Sequence, residues 1–150
     1  MNQTFTIRDA NEGDFPKLID LFQEFALFEK TPERMVNTVE KMKKEKSFFN
    51  GFVAVDENEN VLGFATYFFS YHTWIGKSIY MDDLYVREQY RGLGLGKALL
   101  DKVVDFAKKE KCSKVRWQVS NWNTNAQEFY KKMGAQIDDV EINCDLTLNN

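Results

Sequence analysis

Two adjacent carboxylates, Asp82 and Asp83, sit in a β-type run over residues 78–86 that leads into Arg91-Gly92-Leu93-Gly94-Leu95-Gly96-Lys97. Aspartate is disfavoured in mid-strand, so a pair of them there asks for a chemical reason, and carboxylates are proton acceptors. Three glycines at alternate positions let the backbone come close to an anion, and a helix opening at the same place adds the positive end of its dipole. Arg91 and Lys97 bracket that turn with fixed positive charge. The stretch reads as a phosphate-binding turn beside an acid–base site.

Spacing removes the commoner nucleotide motifs. A GxGxxG fingerprint starting at Gly92 needs glycine where Lys97 stands, and a Walker-type loop needs Ser or Thr where Ala98 stands. His72 is the only histidine, which leaves no Ser-His-Asp relay and no histidine-based metal site; no metal is expected. Cys112 and Cys144 are too few and too unpatterned for a disulfide framework or a zinc site. On a regular strand neighbouring side chains face opposite ways, so one of the two aspartates is expected to aim at the reacting group, and Asp82 is chosen as the base.

The elements that must hold these residues follow from periodicity. A first strand is expected at 5–7, followed by a helix capped by Asp14 with Phe15, Leu18, Ile19, Phe22, Phe25 and Ala26 at helical spacing. A shorter, more charged helix covers 37–45. Strands at 51–55 and 61–69 flank Asp56-Glu57-Asn58-Glu59-Asn60 as a hairpin, and 78–86 is the next strand. A helix over 95–108 turns Leu99, Leu100, Val103, Val104 and Ala107 inward. A strand at 114–119, a helix at 123–133 and a last strand at 141–147 complete the order β-α-α-β-β-β-α-β-α-β. This is an α/β chain with a mixed sheet and helices on both faces.

The 150 residues, 43% hydrophobic and 15% aromatic with two prolines, suit a single domain over 1–150 with one sizeable core. Neither a signal-peptide pattern nor an apolar run of about 20 residues is expected to tie the chain to a membrane, and a cytoplasmic location is expected. A net charge of −3 argues against a nucleic-acid partner, whose electrostatic footprint is basic, and leans towards a cationic one.

Four ordered segments carry a resemblance: Tyr71-His72-Thr73-Trp74-Ile75-Gly76-Lys77; Ile79 to Val86 with Asp82-Asp83; Tyr90-Arg91-Gly92-Leu93-Gly94-Leu95-Gly96; and Trp122-Asn123 followed by Phe129-Tyr130-Lys131-Lys132-Met133-Gly134-Ala135. With the element order, they resemble the GNAT superfamily of acyl-CoA-dependent N-acyltransferases, and within it the diamine (spermidine/spermine) acetyltransferase branch. The resemblance implies acetyl-CoA as cosubstrate, with its pyrophosphate on the turn Arg91, Gly92, Leu93, Gly94, Leu95, Gly96 and Lys97. The pantetheine arm then pairs like an extra strand with Leu84, Tyr85 and Val86, and Asn123 hydrogen-bonds that arm. Tyr130 corresponds to the residue that protonates the departing thiolate. Glu29, Trp74, Asp82 and Asp83 line the site for a small cationic amine, a polyamine or diamine-like acceptor, with an amino-acid, thialysine or protein N-terminal acceptor, or a CoA-binding module without catalysis, as the alternative. A homodimer is implied as well.

Overall fold

The computed structural model describes residues 4–148. Two compact units make up the chain, Met1–Gln118 and Val119–Asn150.

In the first unit β1 (Thr6–Asp9), β2 (Asn50–Val55), β3 (Val61–His72), β4 (Gly76–Val86) and β5 (Val115–Arg116) lie in sequence order across one sheet. The pairing is antiparallel from β1 to β4 and parallel between β4 and β5. α1 (Phe15–Phe28) and the short α2 (Val39–Lys44) connect β1 to β2, and α3 (Leu95–Lys109) makes the crossover from β4 to β5. β2 is buried at every position from Gly51 to Val55, as expected of a central strand covered on both faces. On one face Leu18, Ile19 and Leu21 of α1 join Val53, Val55, Phe64 and Tyr85 in one core cluster. On the other face Phe106 of α3 meets the rings of Phe52 and Tyr67, with centroids 6.0 and 5.3 Å away. Leu99, Leu100, Val103 and Ala107 are buried as the helical spacing predicts. Arg8 on β1 fixes the entry to α1: its two terminal nitrogens each donate to Asp14 at 2.8 Å.

The second unit contains α4 (Thr124–Lys132). The strand expected at 141–147 does not form among the described residues, where Ile142 and Leu146 are 84% and 87% exposed. Alternation at 142, 144 and 146 supplies the side chains for one face of a strand, but a strand also needs ladder partners and a surface to cover that face. The other elements form within a few residues of their expected bounds, β5 being the shortest.

Candidate active site

β3 and β4 do not run in perfect register. Thr66 lies opposite Asp83 while Tyr67 lies opposite Met81, so Asp82 is an extra residue, a β-bulge. Thr66 Oγ1 accepts the Asp83 N–H at 3.2 Å at this point. A bulge breaks the strict alternation of side chains. In consequence Asp82 and Asp83 line the same cleft, and the expectation that only one could aim into it gives way. Thr66, not singled out from the sequence, is the residue that shapes this bend.

The cleft has a volume of about 630 Å³ and lies between α1, the turn that follows it, and the centre of the sheet. Phe22, Phe25 and Phe49 give it aromatic walls, and Glu29, Asp82 and Asp83 bring three carboxylates to it. Burial pushes the Asp83 carboxyl up to about 7, with the charges of Asp82 and Glu29 adding to the effect. Asp82 is exposed at the cleft surface, yet crowding by the walls still raises its carboxyl. Asp83 is therefore poised to exchange a proton near neutrality, as a general base must.

Glu29 reaches the cleft because of how α1 ends. Lys30 takes a left-handed backbone (φ 66°), its N–H donates to Leu27 O, and the Thr31 N–H donates to Ala26 O at 2.9 Å. Both bonds together are the Schellman closure, which turns the chain back over its last helical turn. Trp74 is placed differently from the expectation: it is 96% exposed in the turn joining β3 to β4 and is not among the residues lining the cleft.

The glycine turn takes the backbone that its residue types call for. Gly92 and Gly94 have φ of 81° and 85°, values that an L side chain adopts only under strain. Gly94 caps α3 without a side-chain acceptor, and the first helical bond runs from Ala98 N–H to Gly94 O at 3.0 Å. The N–H groups of Leu95, Gly96 and Lys97 thus face out of the helix start, the arrangement that receives a phosphate. Gly96 is helical, and a Cβ there would meet only Val86 Cγ2 at 3.8 Å, an ordinary contact. Lys97 donates through Nζ to Asp101 at 2.7 Å, so its ammonium is engaged along the helix and its backbone N–H is the donor it presents at the helix start. Arg91 donates through Nε to Val86 O at 2.9 Å and lies 4.8 Å over the Phe28 ring, tying the turn to the end of β4.

β5 pairs with β4 only at Ile79 and Tyr80. Among the described residues no strand pairs with Leu84, Tyr85 or Val86 on that edge, which leaves backbone groups for an extended amide-bearing chain. The Tyr85 side chain is buried on the α1 side, and its hydroxyl donates to Glu24 at 2.8 Å. That ring anchors the strand, while the backbone beside it is what an arm could pair with.

Asn123 and Tyr130 belong to the second unit. Asn123 Oδ1 accepts the Ala126 N–H at 3.2 Å and caps α4, so the amide nitrogen is the half of its side chain that capping does not use. Tyr130 is buried near the end of that helix, seven residues on, and Gly134 (φ 96°) closes the turn that follows. Among the described residues no cluster of His, Cys, Asp and Glu fit to hold a metal ion occurs.

The family model "Acetyltransferase (GNAT) family" matches residues 15–135. Thialysine N-epsilon-acetyltransferase of Bos taurus is 36% identical over 141 residues, covering 87% of this chain and 83% of the bovine protein. The human spermidine/spermine N(1)-acetyltransferase-like protein 1 is 30% identical over 141 residues, 87% of this chain but 20% of that longer protein. Among solved structures, an aminoglycoside acetyltransferase from an uncultured soil metagenomic sample has the same fold, with a TM-score of 0.78 at 23% identity over 97% of both chains. With a family match over most of its length and relatives of this identity, the chain belongs to the GNAT acetyltransferase family, enzymes that use acetyl-CoA as cosubstrate.

Proposed function

We propose that this single-domain chain acetylates the primary amine of a small, cationic alkylamine of the thialysine or polyamine type. The observation that carries this reading is the bulge at Asp82, which turns two neighbouring carboxylates into one aromatic-walled cleft that also holds Glu29. An alkyl ammonium, with a pKa of about 10.4, must lose a proton before it can attack. In this reading Asp82 and Asp83 act as a coupled pair that holds the ammonium and accepts that proton. Glu29 and the negative end of α1 draw the cation in.

The cosubstrate fits the residues present: the outward N–H groups of Leu95, Gly96 and Lys97 suit a pyrophosphate, and the free edge at Leu84, Tyr85 and Val86 suits the amides of pantetheine. When bound, acetyl-CoA supplies the thioester acetyl group. A backbone N–H of β4 near Leu84 or Tyr85 stabilises the negative charge that develops on the acetyl oxygen, a role in which one donor contributes about 3 kcal/mol. Asn123 holds the arm and Tyr130 gives its phenolic proton to the departing thiolate, recovering it from solvent. Trp74, in the exposed turn between β3 and β4, joins the substrate site only as a contact for the outer part of a long acceptor. Homodimer assembly and a cytoplasmic location belong to the same proposal, supported by the resemblance to the diamine branch.

The test is thiol release from acetyl-CoA with thialysine, lysine, ornithine, spermidine, putrescine, an aminoglycoside and an amino-terminal peptide as acceptors. Turnover of an alkylamine from the first five supports the reading. Turnover confined to the aminoglycoside or the peptide refutes it.

A further inference from the structure

We propose that Arg34 reads a carboxylate on the acceptor, so that the cleft favours a basic α-amino acid over the diamine that lacks the acid group. The inference rests on the alkylamine reading above and adds a residue that sets specificity within it.

Arg34 lines the same cleft as Glu29, Asp82 and Asp83, and it is the cation in that lining. Its place is set by the local backbone. The Schellman closure of α1 turns the chain at Lys30, and Pro32–Arg34 then forms a single 3₁₀ turn with Pro32 in its first positions. The Arg34 N–H donates to Thr31 O at 3.0 Å and the Met35 N–H to Pro32 O, which fix the turn. One closure thus sets both a carboxylate (Glu29) and a guanidinium on the rim. Among the described residues, Arg34 takes part in no ion pair. Arg8, Arg87, Lys77 and Lys97 by contrast each have a carboxylate within 4.0 Å.

A purely cationic acceptor would meet complementary charge at Asp82, Asp83 and Glu29 and repulsion at Arg34. An acceptor with an ω-ammonium and an α-carboxylate meets opposite charge at both places. The guanidinium is a planar fork of fixed charge that matches a carboxylate through two parallel N–H donors, which an ammonium cannot reproduce. The arrangement is thus electrostatically complementary to a zwitterion with its reactive amine at the far end of the side chain. Repulsion of the wrong partner contributes to the discrimination as much as attraction of the right one.

The experiment compares matched pairs that differ only in the acid group: thialysine against bis(2-aminoethyl) sulfide, and lysine against cadaverine. In the wild-type enzyme kcat/KM favours the amino acid of each pair by about tenfold or more, the scale of one charge-assisted hydrogen-bonded contact. Arg34→Ala lowers that ratio by a similar factor, through a higher KM for the amino acid and a lower one for the diamine. Arg34→Lys keeps part of the preference, and Arg34→Glu reverses it. Each ratio is internal to one protein preparation, so a partly unfolded variant still reports it. Equal use of both members by the wild type, or a ratio unmoved in Arg34→Ala, overturns the role of Arg34 while the alkylamine reading stands. Turnover of neither member of either pair overturns both.

Discussion

Replacing Asp83 by asparagine should make the protein more stable and less active at the same time, and the two effects should share one pH dependence. Burial and the neighbouring charges of Asp82 and Glu29 hold the Asp83 carboxyl at about 7, against an ordinary value of 3.8. An acid whose folded-state pKa is raised favours folding only when protonated. Its ionised form therefore subtracts stability progressively as the pH rises from about 4 to about 7, and nothing is subtracted below the unfolded value. Full conversion of that difference would amount to about 4 kcal/mol. Asp83 is only half-buried, and solvent screening reduces the figure to about 2 kcal/mol. Asp83→Asn should thus gain about 2 kcal/mol in urea unfolding at pH 8 and close to nothing at pH 3. Activity should move the other way. With a base that titrates near 7, kcat/KM for the amine rises about tenfold from pH 6 to pH 8 and then levels off, whereas Asp83→Asn loses that limb and about 10²-fold or more in rate. If the wild-type rate instead keeps climbing about tenfold per pH unit through pH 9, the free amine attacks without help and the carboxylate pair is not the base. A gain over wild type no larger at pH 8 than at pH 3 would equally refute the electrostatic reasoning.

Thr66→Val removes the acceptor of the Asp83 N–H (3.2 Å) at the bulge, and should cost about 1 kcal/mol in denaturant unfolding together with a fall in kcat, with Thr66→Ser restoring both. In Gly94→Ala the new Cβ meets nothing within 4 Å, so the penalty is the left-handed backbone alone, about 1 kcal/mol in thermal unfolding; titration calorimetry should also show weaker CoA binding, and unchanged affinity would remove this turn from the phosphate site. Arg8→Met breaks the paired contact that holds the Asp14 carboxyl below its usual range and should cost about 2 kcal/mol at pH 7, by urea unfolding. Because a depressed carboxyl contributes above its unfolded value and loses that contribution as the pH falls through its folded one, the gap between wild type and Arg8→Met should close below about pH 4.

The glycine turn was legible because its requirement is local: φ values of 81° and 85° at Gly92 and Gly94 belong to those residues, and the side-chain type announces them. The helices were legible for the same reason, since an apolar stripe such as Leu99, Leu100, Val103 and Ala107 is written in spacing alone. The carboxylate pair was only half legible. Its residue types pointed to proton transfer, but which faces they point to is a property of register, and register is decided by the pairing of Thr66 with Asp83 and of Tyr67 with Met81 across two strands. A strictly alternating strand would have sent Asp82 and Asp83 to opposite sides of the sheet, and the bulge does not. Arg34 was missed for a related reason. A lone arginine after a helix resembles any solvated side chain until the closure at Lys30 brings it onto the same rim as Glu29. The expected strand at 141–147 failed in the opposite direction: its alternation was read as sufficient, although alternation prepares a face and cannot supply the neighbour that the face needs. Where a residue's role depends on its own backbone the sequence is a good guide; where it depends on which strand lies opposite, as it does for the proposed base, chemistry has to be read from the fold.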